Sequence, residues 1–207
     1  MCMKRFNNTI CCDLDDTLAD TEKNVMSKAT EYNEKVLKKT NSPNYNILCE
    51  DYYYFADALE WNDCECKAFF QRYFPRIYKS VEPIHKNTEV LHKLISFGYE
   101  IHVVSSRPDT KEVYQITESW LRKNSIPYHK LIINTRDKAK YVSSVNAIAF
   151  IDDSYGNCIK VARDTKAAVF LVNKWYNSGL EVPSHIERID SFQKVYDFLR
   201  EDKGNDL

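Results

Sequence analysis

Only four glycines occur in 207 residues. They cannot supply a glycine-rich loop around a phosphate, which excludes the dinucleotide-binding turn and the Walker-type loop. A run of about 18 apolar residues is also missing, so no transmembrane helix is expected. The first residues, MCMKRFNNTICCDLDD, place Lys4 and Arg5 before a short apolar stretch, but acids follow Cys12 at once. That stretch is too short for the hydrophobic region of a secretory signal. Neither charge is in excess: the net charge is −1, with acids and bases interspersed. No basic tail or patch stands out, so neither a nucleic-acid polymer nor a membrane surface is the expected partner. The seven cysteines are odd in number and irregular in spacing. They fit reduced thiols better than a disulfide framework. Cys64-Glu65-Cys66 lacks both the spacing and the second cysteine pair of a zinc knuckle. These absences predict a soluble, cytoplasmic chain, as a monomer or a homodimer, whose ligand is small.

Apolar residues make up 43% and charged residues 29%. A chain of this size holds one α/β domain with an insertion, or two small domains. Short apolar runs at Thr9–Cys12, Glu100–Val104, Leu131–Ile133, Ala147–Ile151 and Ala168–Val172 read as strands. Helical spacing links Val90, Leu91, Leu94 and Ile95, then Val113, Ile116, Trp120 and Leu121. Further helices are expected at about 155–164 and around Phe192, Val195, Phe198 and Leu199. Strand and helix in alternation predict an α/β fold, a doubly wound parallel sheet covered on both faces. Residues 20–80 break the rhythm. They are rich in Lys, Glu and aromatics, and Asn41-Ser42-Pro43-Asn44 marks a loop between helical stretches. The segment is too long for a connection and is read as a mostly helical insert. The expected division is 1–19 with 81–207 as a catalytic core, and 20–80 as the insert.

Ligands of open α/β sheets bind beyond the carboxyl ends of the strands. The first run ends in Asp13-Leu14-Asp15-Asp16-Thr17, and the second in Ser105-Ser106-Arg107-Pro108. Asn134-Thr135-Arg136-Asp137-Lys138 follows the third, and Asp152-Asp153-Ser154 ends the fourth. Acids, hydroxyls and a lysine therefore gather on one sheet edge. One such acid is ordinarily a solvated loop residue. Two acid pairs after two runs are not, and their mutual repulsion calls for a cation. Ligation through oxygen alone favours Mg²⁺ over zinc.

These segments resemble the motifs of the haloacid dehalogenase (HAD) superfamily. Ile10-Cys11-Cys12-Asp13-Leu14-Asp15-Asp16-Thr17-Leu18 resembles its first motif, and Val103-Val104-Ser105 its second. Asp137-Lys138 resembles the third, and Phe150-Ile151-Asp152-Asp153 the fourth. Ile-Asp-Asp-Ser-x-x-Asn-Cys, preceded by Ile-Asn-Thr-x-Asp-Lys, further resembles the branch related to 5′(3′)-deoxyribonucleotidases. The resemblance implies a phosphomonoesterase. Asp13 would be the nucleophile and form an aspartyl-phosphate, and Asp15 the general acid and base. Mg²⁺ would be held by Asp13, the backbone carbonyl of Asp15 and Asp153, with Asp152 in support. Ser105 would bind a phosphoryl oxygen, with Ser106 as its alternative. Lys138 would neutralise the nucleophile and the transferring group, although Lys130 and Lys140 compete for that place. Arg107 is either a phosphate ligand or an exposed loop residue. Asp16 stands where many members have glycine and is expected to change little.

In this superfamily an insert between the first two motifs is a cap over the active site. Here it carries Tyr52, Tyr53, Tyr54, Phe55, Trp61, Phe69, Phe70, Tyr73 and Phe74. These aromatics either pack the core of the cap or form a platform for a nucleobase, with Tyr54 and Trp61 as the candidates to face substrate. The expected substrate is a small phosphorylated molecule, a (deoxy)nucleoside monophosphate before a phosphosugar. A phosphoacceptor module is the non-enzymatic alternative. The Asp13-x-Asp15 pair argues against it, because a stable aspartyl-phosphate has no use for a nearby acid.

Overall fold

The computed structural model describes residues 8–50 and 53–204. Of the cap aromatics named above, Tyr52 lies outside the described residues. Six strands form one parallel sheet: β1 (Thr9–Cys12), β2 (Glu100–Val104), β3 (Lys130–Ile132), β4 (Ala149–Asp152), β5 (Ala168–Val172) and β6 (Ile186–Ile189). Their order is β3-β2-β1-β4-β5-β6. The chain winds outward from β1 in one direction, then returns to its other side and winds the opposite way. The reversal lies between β1 and β4, where such sheets open a crevice for ligand.

Side chains alternate across the sheet and divide between two apolar layers. Ile10, Cys12, Ile101, Val103, Ile151 and Phe170 face one layer. It is filled by Val90, Leu91 and Leu94 of α4 (His85–Ser96), Trp120 and Leu121 of α5 (Lys111–Lys123), and Val195 and Leu199 of α8 (Gln193–Gly204). Cys11, Phe150, Val169 and Leu171 face the other. That layer is filled by Val142 of α6 (Lys138–Ser144) with Cys158 and Val161 of α7 (Tyr155–Asp164). Burial on both faces is why β1, β4 and β5 read as continuous apolar runs.

The segment after β1 is helical, as expected: α1 (Thr21–Lys35), α2 (Tyr54–Ala58) and α3 (Asp63–Ser80). The chain leaves and rejoins the sheet at one place. Ala19 bridges to Pro83, and the Asp20 N–H donates to the Glu82 carbonyl at 2.8 Å. Asn62 opens α3 with reciprocal bonds between its side chain and the Glu65 N–H, and between the Glu65 carboxylate and its own N–H. Tyr32, Tyr54, Phe55, Trp61, Phe69, Phe74 and Tyr78 form one buried cluster, which Val113 of α5 and Tyr176 join. No described helix is long and apolar enough to cross a membrane.

Candidate active site

β1 continues its pairing one residue beyond the strand. The Asp13 N–H donates to the Ile151 carbonyl at 2.8 Å, which sets Asp13 beside the end of β4. Carboxylate oxygens of Asp13, Asp152 and Asp153 all lie within 4.8 Å of one another, and all three residues are buried. Lys138 opens α6 and reaches into this group. Its ammonium bonds to Asp13 Oδ1, and to Asp152 Oδ2 at 2.8 Å. The competitors Lys130 and Lys140 are exposed. Burial works against the Lys138 charge, but Asp13 and Asp152 overcome it and push its pKa above the usual lysine range.

Part of the acceptor capacity of Asp152 and Asp153 is met by fixed donors. Asp152 accepts from the Ser154 N–H at 2.8 Å and from Asn157 Nδ2 at 3.1 Å. Asp153 accepts from the hydroxyls of Thr17 at 3.1 Å and Tyr176 at 2.6 Å. Burial, then the charge of Asp152, then that of Asp16 push the Asp153 pKa up to about 7. Burial also raises Asp13, reinforced by Asp152, Asp153 and Asp15 and opposed by Lys138. Three carboxylates meet one ammonium, so two negative charges are uncompensated when all are ionised. A buried, oxygen-only donor set short of two positive charges fits a hard divalent cation and suits zinc poorly.

Asp15 is not part of this group. The turn after β1 is closed by the Leu18 and Ala19 N–H groups on the Leu14 carbonyl, at 2.9 and 2.8 Å. The Asp15 carboxylate turns to Arg107, which grips it through Nε at 2.8 Å and Nη2 at 2.7 Å, while the Thr21 hydroxyl donates at 2.7 Å. Its side chain is therefore spent on Arg107 and Thr21 rather than on the three clustered acids. Arg107 itself corrects the sequence reading. It is not an exposed loop residue: it is 2% exposed, lies 3.9 Å over the Tyr78 ring, and donates from Nη1 to Thr117 at 3.0 Å. Its fork is spent on a carboxylate, the geometry for which arginine is suited.

Ser105 is buried at the end of β2, and its Oγ accepts from the Arg107 N–H at 3.1 Å. Ser106 is exposed and donates to the Thr135 carbonyl at 3.1 Å. The two aromatic candidates for substrate contact both lie in the helical cluster. Trp61 packs inside the helical cluster, with its indole N–H donated to Asn33 Oδ1 at 2.7 Å. Tyr54 is 1% exposed, donates its hydroxyl to Asp16 Oδ2 at 3.1 Å and stacks on Tyr176. Both rings are held by packing within the protein.

Asp16 does more than substitute for a glycine. Its φ of 58° is left-handed, which explains why glycine suits the position. Its carboxylate accepts the Glu22 N–H at 2.6 Å and so holds the first turn of α1. Burial pushes its pKa up to about 7 against the pull of Lys174 and of that N–H. Sequence reasoning also missed the segment after β5, where Lys174, Tyr176 and Asn177 approach the acids. The signal was available: Asn173-Lys174-Trp175-Tyr176-Asn177 follows an apolar run, as the other site loops do.

A parallel sheet with four acids and a lysine at its switch point defines a hydrolase of the haloacid dehalogenase superfamily. Solved structures share this fold. A haloacid dehalogenase-like hydrolase of Streptococcus pneumoniae aligns with a TM-score of 0.65 at 13% identity, over 92% of this chain and 98% of that one. A protein of Clostridium acetobutylicum, described as a predicted phosphatase, aligns with a TM-score of 0.65 at 15% identity, over 95% and 99%. The chain belongs to the 5′ nucleotidase, deoxy (pyrimidine), cytosolic type C protein family (NT5C), whose model matches residues 7–203. A nucleotidase of Clostridium acetobutylicum is 24% identical over 195 residues, which cover 94% of this chain and 93% of that protein. The chain is accordingly a phosphoric monoester hydrolase acting on small phosphorylated substrates.

Proposed function

We propose that the protein is a Mg²⁺-dependent 5′-nucleotidase that hydrolyses (deoxy)nucleoside monophosphates through an aspartyl-phosphate on Asp13. What supports this above all is Lys138 bridging Asp13 and Asp152 beside Asp153. Mg²⁺, held by Asp13, the Asp15 carbonyl and Asp153 with Asp152 in support, would supply charge against the phosphate and orient it. Lys138 fixes one oxygen of Asp13 and leaves the other to attack phosphorus. The bond from phosphorus to the ester oxygen breaks as the new one forms. Asp15 passes a proton to the departing oxygen, then takes one from the water that cleaves the acyl phosphate. Ser105 binds a phosphoryl oxygen. Residues 20–80 act as a cap that excludes water from the reaction.

A panel of phosphorylated metabolites assayed with and without Mg²⁺ tests the reading. Preference for nucleoside monophosphates, with turnover lost to a chelator, is the expected result. Equal turnover of sugar phosphates would sink the nucleotidase assignment, and undiminished turnover in chelator the metal assignment.

Arg107 is assigned to aim Asp15. Arg107→Lys keeps the charge but loses the two-pronged grip. Its kcat should fall by about 10²-fold, the scale set by a 1 Å misplacement of a catalytic group. Aryl phosphates with acidic leaving groups need little proton assistance and should lose much less. Equal losses for acidic and basic leaving groups would remove Arg107 from this role.

A further inference from the structure

The loop after β5 belongs to none of the motifs, yet it encloses the outer side of Asp153. The Tyr176 hydroxyl donates to Asp153 Oδ2 at 2.6 Å, and Asn177 Nδ2 donates to the Asp153 carbonyl at 2.8 Å and to the Val172 carbonyl at 2.9 Å. Tyr176 is itself fixed from two sides. Its ring stacks on Tyr54, with centroids 4.3 Å apart and planes 3° from parallel. Its carbonyl accepts the Cys49 N–H at 2.8 Å. Tyr54 and Cys49 both come from the helical insert, so the insert reaches Asp153 through Tyr176.

We propose that Tyr176 is a positioning residue for the divalent cation, acting by fixing the carboxylate of Asp153. The proposal rests on the reading of Asp13, Asp152 and Asp153 as a metal site. A carboxylate that serves a cation must present one lone pair in one direction. Two donors, Thr17 on Oδ1 and Tyr176 on Oδ2, set the rotation of Asp153. The stacked Tyr54 ring keeps the Tyr176 hydroxyl from swinging away. Donors behind ligating groups commonly govern metal affinity, and their loss costs about 10–100-fold.

Tyr176→Phe deletes the hydroxyl and keeps the ring, so the stack and the fold survive. Mg²⁺ binding to the full chain is measured by calorimetric titration without substrate, with Mn²⁺ binding by electron paramagnetic resonance as a second readout. The variant is expected to bind about 10–100-fold more weakly than the wild type. Raising Mg²⁺ should recover most of its turnover, with the substrate KM at saturating Mg²⁺ unchanged. Tyr54→Phe keeps the stack, loses only the bond to Asp16, and should leave ion affinity close to wild type. Equal affinity in wild type and Tyr176→Phe would overturn the proposal, whatever happens to the thermal midpoint. An equal loss in Tyr54→Phe would overturn the assignment to the hydroxyl on Asp153. A wild type that binds neither ion would overturn the metal reading itself.

Discussion

Asp13→Asn is expected to leave a folded protein that releases almost no phosphate. The amide is close to the carboxylate in shape, and it can still bond to Lys138. It is a far poorer nucleophile, so the covalent step is lost rather than slowed by misplacement. Loss of a nucleophile that works in concert with its neighbours costs roughly 10⁴-fold or more. Steady-state release of phosphate from a nucleoside monophosphate measures the deficit, and circular dichroism checks the fold. Acid quenching during turnover should trap phosphoryl label on the wild type and none on the variant. Retention of even a tenth of wild-type kcat would rule out Asp13 as the attacking group.

Lys138→Met should show its largest effect on stability in the absence of metal. The ammonium is 3% exposed and is bonded to two of the three clustered acids. Methionine fills much of the space but returns no charge. Removing one partner from a buried ion pair costs about 3–5 kcal/mol, because the remaining charges are stranded. In a domain of this size that lowers the thermal midpoint by about 6–20 °C. Added Mg²⁺ should recover part of the loss, since a ligand bound only by the folded state stabilises it by mass action. Turnover should stay low at every Mg²⁺ concentration, because the transferring phosphoryl group has lost its lysine. Thermal unfolding in chelator and in excess Mg²⁺ reads both effects. An unchanged midpoint in chelator would show that Lys138 does not balance this cluster.

Strands inside the sheet and the helices packed on it were the most legible. The expected strands at Glu100–Val104 and Ala168–Val172 and the helix at 155–164 coincide with β2, β5 and α7. β6 escaped because it is an edge strand. Ile186 and Ile189 are buried, while the exposed Glu187 and the half-buried Arg188, which donates to the carbonyls of Asn177 and Leu180, interrupt any apolar run. Such charges are typical of edges that must resist further pairing. The acids were legible for a related reason. They follow β1 and β4, the two strands that flank the switch point, so a linear pattern was enough to bring them together.

What could not be read depended on tertiary packing. Whether Arg107 is exposed is decided by Tyr78 and Thr117, which belong to α3 and α5. No local pattern records that meeting. The aromatic wealth of the insert is equally ambiguous in sequence, since a helical core and a stacking platform use the same residues. Composition cannot say which way the rings of Trp61 and Tyr54 point. Tyr176 is hidden in the sequence for a different reason: it carries no charge, and a lone tyrosine after a strand has no signature of chemistry.

The place of β1 has a consequence for how the chain is made. This strand is synthesised before both of its partners, Glu100–Val103 on one side and Ala149–Ile151 on the other. At the usual pace of translation, about 5–20 residues per second, its first neighbour appears roughly 5–18 s later. Until then Ile10, Cys11 and Cys12 have no sheet to join. Pairings this far apart in sequence predict slow folding and an interval open to aggregation. The nascent chain should therefore depend on chaperones during that interval.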